Sequence, residues 1–476
     1  MLSPRGRSGP MLAPPVLLLT GVLVVTGALA GCSDATDSGS AASSSAVASS
    51  TTTANIYEQQ RAEGVTRLLD ALTESITSGD EREVGRLLDA AATTDFRDRF
   101  ETAAANLRTS GPSSGGGAGA ADSGPLRFAR FRYQLAPTEE AETLVPAAIQ
   151  DRLVAAGSSD AWVAPVELRY ALGGQRAPGV DEPEVVVATQ FVVARYGDEW
   201  KLVGDSALLD ADPTPVQLWE LPGLAASDAP TAGGTSVIAS YPETSTTVRS
   251  LRRQLPGAVD AVTAFWGPDW QRRAVLVTTA EAGQFEALVA RSRGVTGTAA
   301  AATIFSRVDF PQRIATGQRV VFTPAANDLA EPTLAVVLRH ELTHVAARTQ
   351  TAFDAPLWIT EGVAEYVGRK GTYRRLADAA PDLAAAVRAG ATPDGLPDDA
   401  MFATNGPSSQ IAYQSAWSVA AYVADRYGEA RLKKLYLGVA ESAQPERRDA
   451  AIRSALGVDR TQLVADWRRW LDGQVG

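Results

Sequence analysis

Only two histidines occur among the 476 residues, and they stand four positions apart in His340-Glu341-Leu342-Thr343-His344. Four residues of a helix advance about 400°, so both imidazoles leave nearly the same face one turn apart. Nitrogens so placed reach one metal ion at about 2.0–2.1 Å, and the acid after the first ligand can address a metal-bound water. Residues 334–348 hold no helix breaker, and Pro332 suits a first turn, where its missing N–H costs nothing. The single Cys, Cys32, excludes a disulfide framework and a cysteine-built metal site. A catalytic zinc site takes three protein ligands and keeps one position open. With both histidines used, the third ligand has to be a carboxylate. Trp358-Ile359-Thr360-Glu361-Gly362-Val363-Ala364-Glu365-Tyr366 offers two, Glu361 and Glu365, one helical turn apart, and either satisfies zinc chemically.

A chain that is 45% hydrophobic and 21% charged belongs with globular proteins. The 44 basic against 55 acidic residues give a net charge of -11, with no basic block to neutralise a run of phosphates, so nucleic acid is not an expected partner. At the start, Arg5 and Arg7 precede an apolar run over residues 11–30 that closes on Leu29-Ala30-Gly31-Cys32, the layout of an export signal. These last four residues resemble the lipobox of bacterial lipoproteins. That resemblance implies removal of residues 1–31, acylation of Cys32, and a lipid anchor on the extracytoplasmic face of a bacterial cell membrane. The alternative is an uncleaved single-span anchor, since about twenty apolar residues cross a bilayer. Residues 32–55, mostly Ser, Thr, Ala, Asp and Gly, read as a disordered tether.

Residues 56–210 are expected to form an accessory α+β domain. Val65, Leu68, Leu69, Leu72, Ile76, Val84, Leu87 and Leu88 keep helical spacing up to about position 107, and residues 110–125 read as a long loop. The period then changes to two in Trp162, Ala164, Val166, Leu168, Tyr170 and Leu172. Two further strands are predicted around a Gly197-Asp198 turn. Helices followed by such a sheet loosely resemble nuclear-transport-factor-2-like domains; a generic packing domain reads equally well. Residues 211–235, rich in Pro, Ala, Gly and Asp, are expected to link it to a second α+β domain, residues 236–476. There, strands are predicted at 236–240, 273–278, 301–307 and 319–323 and helices at 248–265 and 282–291, with a mostly helical C-terminal end.

A helical HExxH motif followed by W-x-x-E-G-x-A-E-Y resembles the gluzincin clan of zinc peptidases, the peptidase MA-like group, over residues 318–430. The resemblance implies Zn2+ held by His340, His344 and Glu361, Glu341 as general base, and Glu365 hydrogen-bonded to a ligand histidine. Relatives often stabilise the oxyanion with a Tyr fifty to sixty residues past the third ligand, which points to Tyr413; that residue also fits the buried stripe of a helix with Trp417 and Ala420. Met occurs only at positions 1, 11 and 401, so the Gly-x-Met-Glu-Asn substrate anchor of the related aminopeptidases is absent. By the same analogy residues 319–323 form an edge on which an extended peptide pairs. The implied activity is hydrolysis of peptide or protein substrates by a zinc-activated water. The alternatives are a surface interaction or scaffold lipoprotein with an inert zinc site, and zinc-dependent hydrolysis of a different substrate.

Overall fold

Asn55 accepts a hydrogen bond from the Tyr57 backbone N–H and so caps the first helix, α1 (Ile56–Ser78). The computed structural model describes residues 55–108, 123–137, 143–173, 182–209, 211–212, 214–290, 300–373, 375–403, 406–442 and 444–475. The export signal, Cys32 and, apart from Asn55, the tether lie outside the described residues. Ala54 to Gly476 make one unit.

After α1 come α2 (Glu81–Leu87) and α3 (Thr94–Leu107); the α1 stripe of Val65, Leu68, Leu69, Leu72 and Ile76 packs into one core with Val84 and Leu87 of α2 and Phe96 and Phe100 of α3. Within the segment expected as a loop, β1 (Ser123–Gly124) is a short strand. Next follow β2 (Phe128–Leu135), α4 (Ala147–Ala155), β3 (Asp160–Leu172), β4 (Val185–Tyr196) and β5 (Glu199–Asp205). Strands β2 to β5 form an antiparallel sheet in sequence order, and β4 turns into β5 at Gly197, whose φ of 62° suits glycine. The period of two in β3 sends Ala164, Val166, Leu168, Tyr170 and Leu172 towards the helices. Val163 lies on the other face with Ile149 and Leu153 of α4.

The stretch read as a linker is structured. It carries a 3₁₀ turn (Leu218–Glu220) and the strand β6 (Ala225–Thr231). Trp219 sinks its ring among Phe128, Phe131 and Tyr170, with centroids 4.9–5.4 Å away. Small polar residues resembled a linker because they carry little apolar signal; β6 is held by its ladder to β7 (Gly234–Ser240). The chain continues through α5 (Ser245–Trp266), β8 (Val275–Thr278), α6 (Ala282–Val289), β9 (Ala301–Ile304), the hairpin β10 (Arg307–Asp309) and β11 (Ile314–Thr316), and β12 (Arg319–Phe322).

A second sheet runs in the order β1-β6-β7-β8-β12-β9. Alternation splits it cleanly. Ile238, Leu276, Val320 and Phe322 face one core with the C-terminal helices, while Ala239, Val277 and Val321 join the core of the N-terminal helices and the four-stranded sheet. One correction follows. Strand β12, expected to be a peptide-pairing edge, is buried throughout and paired on both sides, parallel to β8 and antiparallel to β9. Among the described residues the edge on that side of the sheet is β9, and β1 is the other.

The remainder is helical: α7 (Glu331–Ala347), α8 (Leu357–Arg369), α9 (Leu376–Ala379), α10 (Pro381–Arg388), α11 (Asp399–Phe402), α12 (Pro407–Tyr427), α13 (Glu429–Ala440), α14 (Pro445–Leu456) and α15 (Arg460–Val475). No helix among the described residues is long and apolar enough to cross a membrane.

Candidate metal centre

Helix α7 begins with Pro332 in its first turn and drives Leu334, Leu338, Leu342 and Val345 into the core beneath the sheet. That leaves His340 and His344 on the flank facing α8. The two helices approach closely because Gly368 has no Cβ: one built there would stand 2.9 Å from the Val336 carbonyl oxygen and 3.4 Å from His340 Cβ. On the other side of α8, a Cβ at Gly362 would stand 2.5 Å from the Ala416 carbonyl oxygen of α12. Glycine inside a helix costs about 0.8–1.0 kcal/mol against alanine. Here it lets three helices close around Glu361.

The three donors converge. Nε2 of His340 and Nε2 of His344 are 3.1 Å apart. Glu361 brings Oε2 to 3.3 Å from the first and Oε1 to 3.5 Å from the second. Two ligand atoms each about 2.0–2.1 Å from an ion and at the tetrahedral angle stand roughly 3.3–3.4 Å from each other. The three side chains therefore come close enough to share one ion, each oxygen of Glu361 turned to a different imidazole, and they offer the nitrogen and oxygen donors zinc accepts. It is also the group of His, Cys, Asp and Glu side chains among the described residues that could hold a metal ion.

Charge follows geometry. Burial opposes protonation of His340, yet the bond to Glu361 and the charges of Glu365, Glu341 and Glu361 prevail, raising its pKa from 6.5 to about 9. Burial works against the Glu361 carboxylate as well. The charge of His344 and the bonds from both imidazoles outweigh it and hold Glu361 well below the usual range.

Around the triad, Nδ1 of His340 faces Glu365 Oε1 at 3.5 Å, and Arg369 Nη2 lies 2.6 Å from the other Glu365 oxygen. Glu341 takes no part in the donor cluster. Its buried carboxylate accepts a hydrogen bond of 2.7 Å from the Thr303 hydroxyl on the edge strand β9. Tyr413, on α12, is partly buried against Phe402, Ala412 and Ala416, with an edge-to-face contact to Phe402 at 5.0 Å. Burial and then the negative charges of Glu361, Glu365 and Glu341 push its phenol pKa upward, so the ring lies within the field of all three acids.

Sequence reasoning passed over Thr303, Arg369 and the two glycines. A glycine in the middle of an otherwise good helix is a signal of close packing. The partnership of Thr303 with Glu341 spans 38 positions and has no local signature.

No known family matches the sequence, and no curated protein matches it. Solved structures similar to it include a two-domain M1 zinc metallopeptidase variant bound to L-arginine, at 11% identity over 53% of this chain and 52% of that one, with a TM-score of 0.29. Another is the M1 zinc metallopeptidase from Deinococcus radiodurans, at 12% identity over 67% of this chain and 62% of that one, with a TM-score of 0.31. A variant of the Deinococcus radiodurans enzyme bound to a Tyr-Ser-Ala substrate gives 13% identity, 74% and 72% coverage, and a TM-score of 0.31. The chain spans about half the length of the first of these relatives.

Proposed function

We propose that this chain is a zinc-dependent peptidase, anchored through Cys32 to the outer face of a bacterial cell membrane. The observation that carries the reading is a cluster of two histidines and one carboxylate close enough to share an ion, with a further acid, Glu341, held beside it and outside it. A structural zinc site closes with four protein ligands and has no use for such an acid. When bound, zinc supplies a Lewis acid that polarises a carbonyl and acidifies water.

The chain's own groups do the rest. Glu365, backed by Arg369, keeps the His340 proton on Nδ1 and leaves Nε2 free as a donor. Glu341, oriented by Thr303, takes a proton from the attacking water and returns it to the leaving amine. Tyr413 donates a hydrogen bond to the developing oxyanion. Losing such a donor costs about 2.7–4 kcal/mol, so Tyr413→Phe is expected to lower turnover roughly a hundredfold to a thousandfold.

The test is zinc stoichiometry together with cleavage of an unbiased peptide library, for the wild type and for Glu341→Gln. One zinc per chain in both proteins, with cleavage in the wild type alone, is the expected result. Full turnover by Glu341→Gln moves the base elsewhere, and a fully metallated wild type that cleaves nothing ends the peptidase reading. The anchor rests on Leu29-Ala30-Gly31-Cys32. Mass spectrometry of the mature N-terminus tests it, because Cys32→Ser must abolish acylation.

A further inference from the structure

Strand β9 offers a free backbone in a fixed phase. Thr323 N–H donates to the Ala300 carbonyl. The antiparallel register then alternates, so Ala302 and Ile304 bond to β12 while Ala301 and Thr303 turn their N–H and C=O outward. Among the described residues no strand takes those groups. Thr303, opposite Val320, projects its side chain to the helical face, where its hydroxyl meets Glu341. Phe305 follows two positions on, on the same face and roughly 6–7 Å farther along.

The helix α7 reaches the same spot. Arg348 stands four residues past His344 and keeps helical torsion angles just beyond α7, so it leaves the metal-facing flank one turn farther on. Its guanidinium carbon sits 4.6 Å from the Phe305 ring centroid and 5.6 Å from that of Phe353. Phe305 and Phe353 lie nearly parallel, 19° apart, and Phe310 from the β10–β11 hairpin meets Phe353 edge-on at 5.5 Å. Arg348 donates to the Thr351 carbonyl. Among the described residues it has no carboxylate within ion-pair reach.

The cluster is open to solvent: Phe353 is 57% and Phe310 37% exposed. Phe310 and Phe353 touch each other and so form a patch rather than scattered single residues, and an exposed apolar patch marks a contact surface. The rings offer burial to an apolar side chain, and Arg348, already stacked on Phe305 and near Phe353, repels a second, basic side chain.

We propose that Phe305, Phe310 and Phe353, stacked against the Arg348 guanidinium, form the subsite that takes a large apolar side chain of an extended peptide lying on the free edge of β9. The proposal rests on the peptidase reading for its substrate and names a class within it: peptides with Phe, Leu or a similar residue close to the cut, and not Lys or Arg there.

Binding separates this claim from catalysis. Three fluorescent peptides, identical except for Phe, Ser or Lys at the position profiled as the anchor, or at each position in turn if nothing is cleaved, are titrated against metal-loaded full-length Glu341→Gln. The expected order is Phe tightest and Lys weakest, with about a tenfold or greater step between Phe and Ser, the discrimination typical of a hydrophobic pocket. Adding Phe353→Ser, at a position exposed enough to spare the fold, is expected to collapse the Phe-to-Ser ratio towards one. Phe310→Ser is expected to reduce it in part. An unchanged ratio in both variants overturns the subsite, as does a parent that binds Lys as well as Phe or shows no preference at any position. Absence of cleavage by the wild type falls on the peptidase reading alone, because the binding ratios still decide the subsite.

Discussion

At the metal centre the protons and the metal ion compete for the same nitrogen. A zinc ligand has to be neutral imidazole, and His340 is raised from 6.5 to about 9 by its acidic neighbours. In chelator-stripped protein the depressed Glu361 contributes stability fully above about pH 4.5 and loses its share in strong acid, while the raised His340 contributes stability that is fully present below about pH 6.5 and lost as the pH rises through about 9. Zinc affinity runs the other way and climbs across that window. A chelator competition between pH 6 and 10 is expected to show this rise, and a flat profile would contradict it. Helix spacing matters equally. Gly368→Ala sets a methyl group 2.9 Å from a backbone oxygen of α7, which has to move. Overpacking of this kind costs about 1–3 kcal/mol, and we expect a lower melting temperature together with weaker zinc binding. A variant that binds zinc as tightly as the wild type would show that α7 and α8 tolerate separation. The two histidines and the pair of acids Glu361 and Glu365 were legible because helical spacing is local, whereas the choice between the acids came from the resemblance alone. The hydroxyl that orients Glu341 was hidden by long-range pairing.

Elements with a strong period were read well. Helices α1, α5, α7 and α12 and strands β3, β7, β8 and β12 lie within a few residues of their predicted positions. Strand β6 is composed of Ala, Ser, Asp, Pro and Thr, so only its neighbour β7 betrays it, and the sheet order that places β9 outside β12 is set by packing across the whole unit. The start of β12 carries another hidden feature. Arg319 is buried and makes two 2.7 Å bonds to the carboxylate of Glu182, which stands just before β4 of the other sheet. Removing one member of a buried pair strands the other charge, at a cost of about 3–5 kcal/mol. Thermal denaturation of Glu182→Ala is expected to show a large destabilisation, most of it recovered in the double variant Glu182→Leu with Arg319→Met. Equal losses in single and double variants would show that the pair is worth no more than its packing.

For the molecule as a whole, the six-stranded sheet is a shared wall. Val277 and Val321 pack with the N-terminal helices and Trp219, while their neighbours Leu276, Val320 and Phe322 pack with α7. Neither half has a complete core without it. Calorimetry of the full chain is expected to show one cooperative transition whose midpoint rises with zinc, and two independent transitions would refute the shared wall. The Arg319–Glu182 clasp spans 137 positions and the Arg99–Glu220 bond spans 121, so the consequence reaches into time. Contacts this distant form only after large loops close, which makes folding slow. A ribosome that has released residues 55–210 has not yet made Trp219, Val277 or Arg319. The early half must therefore wait with its aromatic face uncovered until the later half arrives.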